Sequence, residues 1–182
     1  MKRIEKAPAS VKNIIDLGCG TGLLGTLVAN EMSWVEILGV DLSQRMVEIS
    51  RKRKSTRGST VYASVSNDDA AKYLSTLERQ SIDCVLASDV FIYIGNISKV
   101  LKETLECLTS GGVVGFTVES YAGSNNDGLR LLPSGRFGHS RPYINKAVRL
   151  NGFEILSWDD CVLHHQGGAN IRGSSVILRK LQ

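Results

Sequence analysis

The stretch Ile14-Ile15-Asp16-Leu17-Gly18-Cys19-Gly20-Thr21-Gly22-Leu23, IIDLGCGTGL, decides the fold. An apolar run rich in β-branched residues, Val11 to Leu17, ends in three glycines within five residues, and Leu23, Leu24, Leu27, Val28 and Met32 then recur at helical spacing. That is a strand, a tight turn and a helix, the repeating unit of open parallel sheets. The turn leaves the carboxyl end of the first strand, where such sheets bind ligands. The loop is therefore also the first candidate for a site.

Working outward, the alternation repeats. Val35 to Val40 reads as a second strand, followed by Ser43 as the N-cap of a helix that carries Met46, Val47 and Ile49 inward. Val61 to Val65 reads as a third strand, Asp69 to Leu77 as a helix and Ile82 to Ala87 as a fourth strand. Ile97, Val100, Leu101, Leu105 and Leu108 mark a further helix, Gly111-Gly112 reads as its stop, and Val113 to Val118 is the fifth strand. Five strands joined by helical crossovers predict a parallel, doubly wound α/β sheet. A polar, glycine-rich segment, Ser120 to Ser140, and a helix from Pro142 to Leu150 follow. Two strands, Phe153 to Leu163 and Ile171 to Leu181, then flank the turn-rich His164 to Asn170 as an antiparallel hairpin.

Composition sets the class. The chain has 182 residues, of which 42% are hydrophobic and 22% charged, and it reads as one soluble domain spanning 1–182. No apolar run has the length of a membrane span, and the leader MKRIEKAPAS lacks the apolar centre of a secretory signal. Cys19, Cys84, Cys107 and Cys161 lie far apart with no C-x-x-C pair, which fits reduced thiols and a cytoplasmic location. The formal charge of +4 sits largely in Arg51-Lys52-Arg53-Lys54 with Arg57. That run reads as the solvated last turn of a helix rather than an RNA-binding patch, so no nucleic-acid partner is expected.

The chemistry of the loop is set by what accompanies its glycines. A dinucleotide fingerprint requires a sixth-place glycine, and here that place is Leu23, which disfavours an NAD-dependent oxidoreductase. Asp16 at the strand tip repels a pyrophosphate and suits an ammonium or sulfonium. Asp41, at the end of the second strand and 23 positions after Gly18, is spaced to accept hydrogen bonds from a ribose diol. Leu42 and Met46 are placed to cover a purine. The expected ligand has a ribose, a base and a positive group.

IIDLGCGTG followed by GVDLSQRM resembles the first two motifs of class I S-adenosylmethionine-dependent methyltransferases, and the likeness continues through ASDVFIYIG, LTSGGVVGFTVE and the terminal hairpin. DVFIYIG and SGRFGHSRPYI resemble, more narrowly, predicted methyltransferases related to the tetratricopeptide-repeat-containing and Williams-Beuren-region methyltransferase-like proteins. The resemblance implies a Rossmann-like, seven-stranded sheet of order 3-2-1-4-5-7-6, mostly parallel with the hairpin antiparallel. It implies S-adenosyl-L-methionine as cofactor. Asp16 and the backbone of Gly18, Cys19, Gly20 and Gly22 would hold its amino-acid end, Asp41 its ribose, and Leu42 and Met46 its adenine. The third strand tip offers Asn67, Asp68 or Asp69 to the adenine amino group, with Asn67 and Asp68 favoured, and Ser88 completes the set.

Methyl transfer from a sulfonium gains most from alignment and exclusion of water, with a base needed only for a hydroxyl or thiol acceptor. The candidate bases are His139, which ranks first, and Asp89, followed by His164, His165, Tyr143 and Glu119. Arg136 and Arg141 are candidates for holding an anionic substrate group. No metal is expected, because no further ligands gather near the histidines. The acceptor is expected to be a small molecule. Ser88-Asp89-Val90-Phe91 stands where an N/D-P-P-Y signature would mark amino-group methylation of bases or glutamine. Only about ten residues precede the first strand, fewer than the family's lid helices need. This leaves three expectations: an open site, a truncated form, or a lid supplied by a partner protein. The runner-up reading is a degenerate, cofactor-binding subunit.

Overall fold

The structure, a computed structural model, describes residues 11–121 and 128–181. The leader 1–10, on which the lid expectation rests, and part of the polar segment, 122–127, lie outside the described residues.

β1 (Asn13–Leu17), β2 (Glu36–Asp41), β3 (Ser64–Asn67), β4 (Ile82–Ala87) and β5 (Leu108–Ser120) are parallel, in the order β3-β2-β1-β4-β5. Their crossovers carry α1 (Leu23–Glu31), α2 (Gln44–Ser50), α3 (Ala70–Leu74) and α4 (Ser98–Cys107), with a 3-10 turn at Phe91–Tyr93 after β4. β6 (Leu129–Leu131), β7 (Phe137–His139), α5 (Arg141–Leu150), β8 (Phe153–Gln166) and β9 (Ala169–Lys180) complete the described chain. β9 pairs antiparallel with β5 and β8 with β9, so the expected strand order and hairpin hold. The hairpin turns on Gly167 and Gly168, with φ of 57° and 79°. Two residues at positive φ are what a tight hairpin turn requires.

Among the described residues the sheet has nine strands, two more than the expected seven. The extra pair, β6 and β7, is an antiparallel ribbon. Glu119 pairs with Gly173 of β9 on one side and Gly138 of β7 on the other, so β7 lies on the β4 side of β5, beyond the point where Ala87 of β4 meets Phe116. The ribbon therefore stands over the carboxyl end of β4.

Alternating side chains bury both faces. Ile15, Leu17, Val85, Phe116 and Val176 join Leu74 of α3, Leu101 of α4 and Ile144 of α5 in the larger core. Cys19, Ile37, Val61, Tyr62 and Val65 pack with Val47 of α2 and Val28 of α1 in the smaller. Ser43 stands at the N-cap of α2 without a side-chain cap bond, and side chains cap two other helix starts. Asp69 accepts from the Lys72 amide at 3.0 Å, and Ser140 accepts from Tyr143 at 3.3 Å with Pro142 in the first turn.

Four local readings are corrected. Gly111 and Gly112 lie inside β5, next to a register irregularity, and α4 already ends at Cys107. Leu23 and Leu27 are exposed, as is Ile49, because the short helices α1 and α2 meet the sheet through Gly25, Val28 and Val47. The basic run is not simply solvated. Arg51 donates twice to the Val65 carbonyl, at 2.7 and 3.2 Å, and Arg53 donates to that of Thr21 at 2.6 Å. His164 and His165 lie in β8, not at the hairpin apex.

Candidate active site

A cavity of about 730 Å³ opens at the carboxyl ends of β1, β2, β3 and β4. Among the described residues its lining contains five aspartates, Asp16, Asp41, Asp68, Asp69 and Asp89, and no lysine, arginine or histidine. The size suits a nucleoside-bearing ligand and the charge suits a cation.

The glycine loop forms one wall. Gly18, Gly20 and Gly22 have φ of 61°, 54° and 83°, a region that glycine enters without steric cost. Gly18 also faces Val90, whose Cγ2 would stand 2.5 Å from an added Cβ. The loop and the segment after β4 thus meet at a point that only a hydrogen side chain allows.

Asp41 is fixed by two backbone donors: its Oδ2 accepts from Gly20 and its Oδ1 from Ser43, each at 2.8 Å. One amide per oxygen leaves lone pairs for a diol. Asp16 is 2% exposed, and its Oδ2 accepts from the Tyr62 hydroxyl at 2.7 Å. Burial pushes its carboxyl up to about 6, against the Tyr62 hydroxyl and the Gly25 amide, which lower it, while the Asp41 charge raises it. Cys19 is a packing thiol: burial drives it up to about 12, and its Sγ contacts Ser50 Oγ at 3.7 Å. Asp68 is held below the ordinary carboxylate range by the Lys72 ammonium 2.9 Å away.

On the β4 side, Asp89 adopts a left-handed backbone at φ 56°. Its amide donates to Thr117 Oγ1 at 2.8 Å, and that hydroxyl reaches back to Asp89 Oδ1 at 3.4 Å. Asp tolerates this conformation better than most residues, and the Thr117 pair holds it there. Val90, Tyr93 and Ile94 continue the wall as apolar surface.

Residues 9–132 match a family model described as a methyltransferase domain. The chain belongs to that family. This methyltransferase domain is 26% identical over 145 residues to a probable S-adenosylmethionine-dependent methyltransferase of Saccharomyces cerevisiae, covering 80% of the chain and 48% of the relative. It is 26% identical over 117 residues to a malonyl-(acyl-carrier protein) O-methyltransferase of Bacillus cereus, covering 64% and 40%. The chain thus spans about half or less of these relatives' length. A S-adenosylmethionine-dependent methyltransferase of Methanosarcina mazei shares the fold at a TM-score of 0.74 and 16% identity, over 94% and 93% of the two chains. So does the (4+2) cyclase SpnF, at 0.76 and 22%, over 94% and 76%.

In this methyltransferase domain, the cavity brings together Asp16, Gly18, Cys19, Gly20, Asp41, Leu42, Met46, Asp68, Ser88 and Asp89. Gly22 is not in its lining: it precedes α1 and faces Arg53 and Tyr62. Nor is Asn67, whose amide donates to the carbonyls of Asp41 at 3.0 Å and Leu42 at 2.9 Å and so ties two strand tips together. Among the described residues, no group of three histidine, cysteine, aspartate or glutamate side chains gathers as a metal site, and no helix is long and apolar enough to cross a membrane.

His139 also lies away from the cavity. It is 2% exposed, and its Nε2 donates to the carbonyls of Ile94 at 3.0 Å and Gly95 at 3.2 Å. Burial holds its pKa below the ordinary 6.5, and Nδ1 has no partner among the described residues. Tyr143 joins it, stacked at 5.6 Å and donating to Gly95 O at 3.1 Å. The two sequence motifs IYIG and FGHSRPYI are thereby one structural unit. Arg136 meets His164 at 2.6 Å, and Arg141 stacks on Trp158 at 4.8 Å.

Sequence reading missed Tyr62, Thr117 and Tyr93. Tyr62 lies 46 residues from Asp16 in the chain, and no local period announces such a pair. The nearest signal was the pair of glycines, Gly25 and Gly39, that its ring requires.

Proposed function

We propose that the chain is a S-adenosylmethionine-dependent methyltransferase acting on a small, uncharged or cationic acceptor. The observation that carries the reading is the cavity lining, in which five aspartates and no cation among the described residues surround a glycine loop. S-adenosylmethionine fits that donor set: it bears an ammonium, a sulfonium and a ribose diol, and it lacks the phosphates that the aspartates would repel. Bound there, it would supply a methyl group on sulfur for in-line displacement.

The chain's own residues divide the remaining work. Asp16 receives the ammonium, the backbone of Gly18 to Gly20 lies against the amino-acid end, and Asp41 accepts from the ribose hydroxyls. Leu42 and Met46 cover the base, with Asp68 near its amino edge. Asp89, oriented by Thr117, accepts a hydrogen bond from the acceptor and takes its proton where the nucleophile is a hydroxyl. Val90, Tyr93 and Ile94 exclude water from that end. An anionic acceptor would meet Asp89 with no cation among the described lining residues to offset it. His139, outside the cavity, acts through the 94–95 backbone and is dropped as the base.

We also read the chain as one domain over 1–182. The coupling of IYIG to FGHSRPYI through His139 and Tyr143 supports its placement beside the tetratricopeptide-repeat and Williams-Beuren-related methyltransferase-like proteins. The second reading, a cofactor-binding module without methyl transfer, draws on the fold shared with a cyclase.

Calorimetry with S-adenosylmethionine, S-adenosylhomocysteine and NAD tests the cofactor. The first two should bind, and Asp41→Ala should weaken them at least about tenfold. Binding of NAD alone would sink the reading. Labelled-methyl turnover on paired neutral and carboxylate acceptors tests the rest. Turnover that survives Asp89→Asn with an unchanged pH profile would remove Asp89 from proton transfer, and cofactor binding without turnover on any acceptor would favour the module.

A further inference from the structure

Behind the glycine loop, the connection from α2 to β3 folds back against α1. Arg53 donates to Thr21 O, and Thr56 donates to Asn30 Oδ1 from its amide at 2.9 Å. At its end stands Tyr62, buried, with its hydroxyl on Asp16. Three elements make room for this ring. A Cβ at Gly25 of α1 would overlap the hydroxyl, one at Gly22 would sit 3.0 Å from the ring, and one at Gly39 of β2 would sit 3.1 Å from it. An apolar residue would fill that slot without a buried hydroxyl to satisfy, so the geometry singles out the hydroxyl rather than the ring.

Asp16 is the buried partner, and it lines the cavity. Among the described residues, the titratable groups that face it are Tyr62, Cys19 and Asp41, none of them a cation. A carboxylate buried among neutral and negative groups is kept ionised only by hydrogen bonds donated to it.

We propose that Tyr62 is a positioning residue of the cofactor site, fixing the Asp16 carboxylate in one orientation and holding it ionised to receive the cationic end of the ligand. This rests on the cavity being a S-adenosylmethionine site. Burial lifts the Asp16 carboxyl to about 6 even with the hydroxyl in place, and without it the carboxyl rises further. Ligand affinity should therefore increase with pH through the Asp16 titration and should do so at higher pH when the hydroxyl is gone.

The test is Tyr62→Phe, which keeps the ring, measured by calorimetric binding of S-adenosylhomocysteine from about pH 5 to about pH 9. In parallel, the Asp16 carboxyl is titrated by carbon-13 NMR in the unliganded chain. The midpoint of both curves should move up by about one pH unit, binding below it should weaken about tenfold, and affinity should recover at the alkaline end. Incorporation of 3-fluorotyrosine at position 62, a stronger donor in a nearly unchanged ring, should move the midpoint down. Coincident curves, or an equal loss at every pH, would overturn the proposal. If the Asp16 titration moves while neither protein binds the ligand, the cofactor reading has failed and the Asp16–Tyr62 coupling stands. If the titration does not move, the coupling is wrong whatever the binding shows.

Discussion

Asp16 places a carboxyl group where the fold alone would not keep a charge. Its carboxyl rises from an ordinary 3.8 to about 6, so the folded chain binds more protons than the unfolded chain between about pH 4 and 6. Stability conferred by Asp16 is therefore highest in acid, falls as pH rises through that window and levels off above it. The displacement corresponds to a penalty on the order of 3 kcal/mol at neutral pH. Asp16→Asn, which still accepts from Tyr62, should be more stable than the parent above pH 6 by about 1 to 3 kcal/mol and converge with it near pH 4. Denaturant titrations across that range measure the difference. If Asp16 receives the ligand as proposed, the same variant should lose cofactor affinity, the usual trade of function against stability. Equal stability at neutral pH would show that the carboxylate is better solvated than its burial implies.

At the scale of elements, two segments behave against their local propensities because of what they touch. Gly25 sits within α1, where alanine would ordinarily favour the helix by about 1 kcal/mol. Here its Cβ would overlap the Tyr62 hydroxyl, so Gly25→Ala should destabilise by about 1 to 3 kcal/mol, read as a lower urea midpoint at constant m-value. His139 ties β7 to the turn after β4, and His139→Phe removes the donor shared by the Ile94 and Gly95 carbonyls. A loss of about 1 to 3 kcal/mol is expected, with the pH profile of methyl transfer unmoved. Because burial depresses this histidine, the parent should lose stability as pH falls below 6.5, and the variant should lack that loss. These contacts also mark where sequence reading stops. The alternation of strands and helices is written in local periods, and so is the glycine loop, which is why the parallel α/β class and the cavity's first wall were legible from IIDLGCGTGL and GVDLS, while the strand order followed from the family resemblance. The β6–β7 ribbon was not, because three exposed residues, Leu129 to Leu131, pair with a strand equally short and carry no period of their own. His139 read as a loop histidine above the site for the same reason. Only the pairing of Ser120 with His139 and the two carbonyls beneath it reveal a structural pin.

Across the whole molecule, net charge and local field have opposite signs. The chain carries +4, yet among the described residues the cavity presents five aspartates and no basic side chain. Much of the positive excess is spent elsewhere on backbone: Arg51 and Arg53 hold the carbonyls of Val65 and Thr21, and Lys180 donates to those of Leu105 and Leu108, each at 2.7 Å. A ligand entering the cavity therefore meets the field of its lining, which a low-dielectric cleft focuses, rather than that of the molecule at large. Ligand choice should follow from this. S-adenosylhomocysteine, bearing an ammonium and no phosphate, should bind at least about a hundredfold more tightly than ATP or NAD, although each of them also carries adenine and ribose. Changing Asp41 to Asn keeps an acceptor for the diol but removes one charge, and it should narrow that ratio by raising nucleotide affinity as well as lowering that of the cofactor. Added salt should narrow it too, by screening the partly exposed aspartates more than the buried Asp16. Competition calorimetry at low and high ionic strength reads both effects. A ratio indifferent to Asp41→Asn and to salt would mean that shape, rather than the carboxylates, selects what this cavity holds.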